Sequence, residues 1–333
     1  MIPLANRPMI YYALENFARA GISEVGVVLG PKGDTVREAI GDGRSFGLRV
    51  SFLEQGEPKG LAHAVSIARE YLRDEVFVMH LGDNFIQDGL EPFVAAFQES
   101  HPSAVIGAVE VQNPSYFGVV DLDNDGRVRG IAEKPSRPKS RWAVTGVYLF
   151  TKLIHEVIAD LPPSDRGELE ITDAIEALRR QAGDVRAVKL QGWWMDAGSP
   201  TDLLAVNDHL LSERAATSET TLVTPGMEGA EGSYLATSAT LRGPVVIGRG
   251  VRVEGDSVIG PCVSVGEGCV IRDASLSRSM VFDRCEISGP IQIDQSIMGS
   301  RSKIKTDGHM VRLDSTILAD DSVVRVGRER DPG

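Results

Sequence analysis

From Pro8 to about Leu211 the apolar positions alternate between helical and strand-like spacing, the pattern of an α/β chain built on a parallel-rich sheet. Pro8 suits a first helical position, Met9, Ile10, Ala13, Leu14, Phe17 and Ala18 keep a period of about 3.6 residues, and Gly21 is a stop signal. A strand at Val25–Leu29 follows, then a short helix that Asp34 caps and Ile40 ends. Next come a strand at Leu48–Leu53, a helix over Leu61–Tyr71 and a buried strand at Val76–Leu81. The apolar runs on either side of Asp123-Asn124-Asp125-Gly126 predict a β-hairpin between Phe117 and Glu133, lying beside the sheet. A strand at Ala143–Phe150, a helix after Thr172, a strand near Ala187–Leu190 and a helix after Pro200 complete a first domain, 1–212.

The pattern then changes. Residues 213–233 are polar and glycine-containing, as expected of a linker. Beyond them Leu235, Leu241, Ile247, Val253, Ile259, Val265 and Ile271 recur every sixth position, and the residue four further on is generally small: Ala239, Val251, Ser257, Cys269 and Ser275 are examples. This is the signature of a hexapeptide parallel β-helix, whose turns stack their inward side chains. The register slips after Ile271 and resumes at Val281, Ile287 and Ile293, which predicts an inserted loop or bulge. The β-helix is expected over 234–325, with a polar, frayed tail at 326–333.

Length and charge narrow the function. A chain of 333 residues suits two domains. A formal charge of −12 argues against nucleic-acid or anionic-membrane binding, since both need concentrated basic surface, so small-molecule partners are expected. The three cysteines, Cys262, Cys269 and Cys285, fit no zinc spacing and read as buried reduced thiols. With no membrane-length apolar run and no signal-peptide pattern, a cytoplasmic protein is expected.

The first place to look for chemistry is Gly82-Asp83-Asn84, directly after a buried strand, because ligands of open α/β sheets collect beyond the strands' C-terminal ends. Taken with other clusters, this segment carries a resemblance. They are Ile2-Pro3-Leu4-Ala5-Asn6-Arg7-Pro8-Met9, Gly60-Leu61-Ala62-His63-Ala64, Leu81-Gly82-Asp83-Asn84, Glu133-Lys134-Pro135 and Ala143-Val144-Thr145-Gly146. To these are added Arg166-Gly167-Glu168-Leu169-Glu170-Ile171-Thr172-Asp173 and Trp194-Met195-Asp196-Ala197-Gly198. In order and spacing the chain resembles the sugar nucleotidyltransferases, specifically the glucose-1-phosphate thymidylyltransferase branch with an appended left-handed β-helix.

The resemblance implies a Rossmann-like nucleotidyltransferase domain followed by a left-handed parallel β-helix. It further implies Mg²⁺-dependent transfer from dTTP to glucose 1-phosphate, in a homo-oligomer feeding deoxysugar synthesis. Asp83 and Asp196 match the family's metal carboxylates, and the chemistry needs such a pair because Mg²⁺ binds one or two carboxylates together with substrate phosphates. By itself Asp83 reads equally as a turn cap. Lys134 matches the lysine that contacts the sugar phosphate, and Glu133 its acidic partner to sugar hydroxyls; an isolated Glu-Lys pair is usually a solvated surface pair. Gly118 and Gly146 match positions where backbone approaches the sugar, although each alone reads as a turn glycine. Gln55 and Gly60 fall where the family reads the nucleobase, by a side-chain amide and a backbone N–H. Glu168 and Glu170 could help hold the sugar, or simply favour a helix start. His63 stands where shorter relatives carry a glutamine and receives no role.

One part of the pattern is missing. The family begins with a buried strand, a Gly-x-Gly-x-Arg-Leu loop that wraps the triphosphate, and a lysine; this sequence starts just after that lysine. The resemblance therefore implies a misplaced start, a fragment of low or no activity as written, and a sheet with unpaired backbone edges and an exposed apolar groove. Three other readings stay open: a uridylyltransferase acting on a sugar 1-phosphate, a non-catalytic regulatory or scaffold subunit that binds sugar nucleotides, and an acyltransferase built on the β-helix. The last is disfavoured because no histidine lies between Leu235 and Met298.

Overall fold

A computed structural model describes residues 1–217 and 232–326. The predicted linker therefore lies, for residues 218–231, outside the described residues, as does the predicted tail from 327 onward. Internal contacts divide the chain into two units: Met1 with residues 9–196, and residues 2–8 with those from 197 on. The composition change had suggested a boundary at 212; the contacts put theirs at Asp196.

The chain opens with a short ladder of β1 (Pro3–Leu4) and β2 (Arg7–Pro8), which belongs to the second unit. In the first unit, α1 (Met9–Arg19) buries Ala13, Leu14 and Phe17 along one stripe. Gly21, at φ +76, lets the Ile22 N–H reach back to the Phe17 carbonyl and close the helix. Then follow β3 (Glu24–Leu29), α2 (Asp34–Ile40) and β4 (Arg49–Glu54). Gly33 occupies the cap position of α2 and no side chain bonds there, so Asp34 sits in the first turn instead of capping it.

The single helix expected over Leu61–Tyr71 is two, α3 (Leu61–Ile67) and α4 (Arg69–Leu72). The Ser66 hydroxyl donates to the His63 carbonyl at 2.7 Å, a local bond that competes with the helical ladder at the break. The unit continues with β5 (Phe77–His80), β6 (Asn84–Ile86), α5 (Glu91–Ser100), β7 (Ala104–Glu110), β8 (Val119–Leu122), β9 (Val128–Ala132) and β10 (Trp142–Phe150). It closes with α6 (Leu153–Ala159), α7 (Ile171–Ala182), β11 (Val185–Lys189) and β12 (Trp194–Asp196).

The main sheet runs β11-β7-β10-β8-β9, with β5 also paired to β10. β5, β7 and β11 point one way and β10 runs against them. The predicted hairpin is β8–β9, and it extends this sheet through Val119 opposite Ala143. The Asp123 carboxylate ties its turn by accepting the N–H groups of Asp125 and Arg127. β3 and β4 form a separate parallel pair, and among the described residues β5 bonds to β10 alone. One core packs α3, α6 and α7 against the sheet around Phe150, Ile154, Ile175 and Leu178; a second gathers Leu14, Phe93, Val147 and Leu149.

In the second unit α8 (Pro200–Thr217) precedes a parallel β-helix. Its inward columns contain every residue the hexads predict, together with Leu276, Met298, Ile304, Leu313, Leu318 and Val324, which they do not. Leu235, Val253, Ile271, Ile287, Ile304 and Val324 stack on one face. Leu241, Ile259, Leu276, Ile293 and Leu313 stack on the next, and Ile247, Val265, Val281, Met298 and Leu318 on the third. The register slip is not an inserted loop. Ile271, Leu276 and Val281 are consecutive inward residues, so two corners are each one residue short, turning at Asp273 (φ +53) and Arg278 (φ +42).

Fully buried serines fill corners of the coils. The Ser257 hydroxyl donates to the Glu254 carbonyl and accepts the Ala274 N–H, and Ser279 and Ser296 repeat the arrangement with their own neighbours. The cysteines are free thiols, Cys269 and Cys285 buried and Cys262 partly so. The β1–β2 turn, with Ala5 and Asn6 at positive φ, is fixed within the same unit. The Ala5 N–H donates to Asn207 Oδ1 at 3.0 Å, Arg214 donates to the Ala5 carbonyl at 3.1 Å, and Asn6 Nδ2 donates to the Val265 carbonyl at 2.7 Å.

Asp208, also on α8, buries Oδ1 without a hydrogen-bond partner. Burial pushes its carboxyl up to about 6, the Arg278 guanidinium opposing and the Asp294 carboxylate adding to the rise. No helix among the described residues is long and apolar enough to cross a membrane.

Candidate active site

The sequence-predicted carboxylates meet through a strand pairing. β6 and β12 run antiparallel with Asn84 opposite Asp196, so Asp83, one residue before β6, stands at the same end of the ladder as Asp196. Asn84, 5% exposed, organises this end. Its Nδ2 donates to Asp83 Oδ1 at 3.1 Å, while its Oδ1 accepts the Gly146 N–H and the Trp194 indole N–H, each at 3.1 Å.

Gly146 is glycine for this contact: a Cβ there would lie 2.6 Å from Asn84 Cγ. Its carbonyl accepts the Leu81 N–H at 2.9 Å. Both backbone groups of Gly146 thus have partners within the protein.

Glu133 and Lys134 follow β9, beside the same site. Lys134 holds φ +38 and donates its N–H to the Phe117 carbonyl at 3.1 Å. Glu133 Oε2 accepts the Thr172 hydroxyl at 3.1 Å, and burial is the main cause that raises its carboxyl above the ordinary glutamate range. At Gly118 a Cβ would come within 2.9 Å of Thr172 Cγ2 and 3.3 Å of Glu133 Oε2, so that glycine leaves room for the Glu133–Thr172 pair. Burial raises the Tyr148 hydroxyl, and the carboxylates of Glu133 and Asp196 both add to the rise, which puts the two acids around one point on β10.

Arg166 binds three carboxylates, those of Glu133 at 3.7 Å, Glu168 at 3.3 Å and Glu170 at 3.5 Å. Of the two glutamates preceding α7, Glu170 is the inner one, its side chain 8% exposed against 45% for Glu168.

The other predicted residues, Gln55 and Gly60, form a second group. Gly60, at φ +101, lies so close to the Leu169 backbone that a Cβ would come within 2.5 Å of its carbonyl oxygen. The Leu169 N–H bonds to the Lys59 carbonyl and the Ala62 N–H to the Leu169 carbonyl, which ties this loop to the segment bearing Arg166 and Glu170. Gln55 Nε2 reaches the Gly60 carbonyl at 3.4 Å and His63 Nδ1 at 3.1 Å.

Asn84, Arg166, Thr172 and His63 lie within the motifs that carry the resemblance but receive no role from the sequence. Adjacency to Asp83 was a signal for Asn84. What Arg166 and His63 do is visible only in the partner each meets in the fold. Among the described residues no three His, Cys, Asp or Glu side chains are grouped to hold a metal ion. A two-carboxylate set still suits a hard divalent cation that takes its remaining ligands from water and a substrate's phosphates.

Comparison with known proteins matches residues 1–213 to the nucleotidyl transferase family model and residues 241–328 to the GMPPB C-terminal domain. A glucose-1-phosphate thymidylyltransferase of Streptomyces antibioticus is 40% identical over 332 residues, 98% of this chain and 93% of that protein. One from Streptomyces griseus is 39% identical with the same coverage. A crystal structure of UDP-glucose pyrophosphorylase complexed with UDP-glucose superposes with a TM-score of 0.59 over 64% of this chain and 90% of that one; at 23% identity it shows the fold alone.

Proposed function

Since the chain belongs to the nucleotidyl transferase family, we propose that it makes dTDP-glucose from dTTP and glucose 1-phosphate, releasing pyrophosphate. The thymidylyl and glucosyl parts of this reading rest on relatives that match almost the whole chain. The observation that carries the chemistry is the shared end of the β6–β12 ladder, where Asp83 and Asp196 stand beside Asn84.

The sugar-phosphate oxygen attacks the α-phosphorus in line, and no covalent enzyme intermediate is needed. Lys134 orients the attacking phosphate, and Arg166, already seated against Glu133, is a second cation within the same cluster. Glu133 takes sugar hydroxyls, Gly118 and Gly146 keep the wall beside the sugar thin, and Glu168 closes the outer side. Gln55 and Gly60 meet the nucleobase. Asp83 and Asp196 would hold Mg²⁺, which when bound neutralises charge on the phosphorus under attack. The protein's own contribution is positioning plus fixed charge.

The test is pyrophosphate release from glucose 1-phosphate with dTTP or UTP in the presence of Mg²⁺. Asp83→Asn is expected to abolish turnover with an unchanged circular dichroism spectrum; full activity in that variant would sink the metal assignment. Preference for UTP would move the reading to uridylyl transfer. Sugar-nucleotide binding that is independent of Mg²⁺, with no turnover, would move it to a regulatory subunit.

A further inference from the structure

Among the polar contacts of the first unit, one concerns a residue to which no role has been given. Gln55 Nε2 lies 3.1 Å from His63 Nδ1 and 3.4 Å from the Gly60 carbonyl oxygen. The Gly60 carbonyl can only accept, so the amide nitrogen, and not the amide oxygen, must face it. The same nitrogen then donates its other hydrogen to His63 Nδ1, which must be unprotonated, with the ring proton on Nε2. A contact of 3.4 Å is long for an N–H···O bond, so the histidine supplies the stronger of the two restraints. Both amide hydrogens are thereby spent inside the protein, and Gln55 is left presenting its oxygen, an acceptor only.

We infer that His63 is a specificity-determining positioning residue: by fixing the Gln55 amide with its oxygen outward, it selects nucleobases that carry an imide. The inference rests on the reading above that Gln55 and Gly60 meet the base. A thymine or uracil imide offers an N–H donor flanked by carbonyl acceptors. It therefore pairs its N–H with the Gln55 oxygen and one carbonyl with the Gly60 N–H. Cytosine carries a bare ring nitrogen in place of that N–H, so its acceptor would face the Gln55 oxygen and neither group would be satisfied. An amide free to turn over would present its NH₂ group to cytosine instead. The orientation of Gln55, and through it His63, decides between the two pyrimidine types.

The experiment is calorimetric binding of dTTP and dCTP, each with Mg²⁺, to the parent chain and to His63→Leu, His63→Gln and Gln55→Leu. The parent should prefer dTTP by about tenfold to a hundredfold, the usual worth of a two-point base contact. In His63→Leu the preference should shrink to within about threefold, because the amide then rotates to suit either base. His63→Gln retains an acceptor and should restore it. His63→Ala carries the same expectation as His63→Leu and replaces it if the leucine variant does not fold.

The ratio of the two affinities is the readout, since a purely structural histidine would weaken both nucleotides alike. A His63→Leu protein that keeps the full preference overturns the inference, as does a parent that binds dCTP as well as dTTP. Gln55→Leu separates the levels. If it too keeps the preference, the placement of the base at Gln55 is wrong; if it alone loses the preference, only the role of His63 falls.

Discussion

Replacing Asp208 by asparagine should stabilise the second unit, and only above mildly acidic pH. The carboxyl is raised from an ordinary 3.8 to about 6, so the folded protein holds its proton more tightly than the unfolded chain does. The folded state therefore has its full stability below about pH 4 and loses the Asp208 contribution as pH rises through about 6. At full strength that loss is about 3 kcal/mol. Asp208 is only partly buried, so solvent screening reduces it to about 1–1.5 kcal/mol.

The groups facing it on the β-helix are Arg278, Asp294 and Cys262, and the Arg278–Asp294 pair remains intact in the variant. Asp208→Asn is then expected to raise the melting temperature of this unit by roughly 2–5 °C at pH 8 and to leave it nearly unchanged at pH 4. The transition is identifiable. The second unit carries none of the three tryptophans, so its transition is followed by circular dichroism. A variant that melts lower at pH 8, or that shifts equally at both pH values, refutes the reasoning.

Gly146→Ala should cost about 1–3 kcal/mol by overpacking against Asn84, and should depress turnover more than stability because Asn84 holds Asp83; unchanged kcat would contradict this. Because burial holds the Glu133 carboxyl above its usual range, the acidic limb of the activity profile should begin at higher pH than an ordinary glutamate gives. Glu133→Gln should remove that limb together with most activity, which a pH series of kcat/KM would check. Ser257→Ala strands the Ala274 N–H and leaves a small gap, so it should lower the stability of the β-helix by about 1–3 kcal/mol in urea melts, against no change if the hydroxyl were idle.

How much of this was legible in the sequence depends on how local each feature is. Helix α1 and the hexad columns could be read from spacing because periodicity is written in consecutive residues. The shortened corners could not: Leu276 becomes an inward residue only once Ile259 stands beside it, a pairing that the spacing alone leaves ambiguous. The break between α3 and α4 depends on one hydroxyl choosing a carbonyl within its own turn. In the site, Asp83 and Asp196 could be named from short motifs, but their common position needed a strand pairing across more than a hundred residues. Asn84, Arg166 and His63 lie inside short motifs, but what each holds, a carboxylate, three acids or an amide, is set only by the fold.

The coils of the β-helix differ in circumference while their columns stay aligned. From Val265 to Val281 the chain takes 16 residues, from Val253 to Ile271 it takes 18, and from Ile304 to Val324 it takes 20. A residue added or lost at a corner alters arc length and leaves every stacked side chain where it was. The same change within a flat face would turn each following residue of that face inside out. Tolerance to insertion in this half of the molecule is thus set by angle around the axis rather than by position along the chain. Two loops far apart in sequence are mechanically equivalent when they sit on the same edge of the prism.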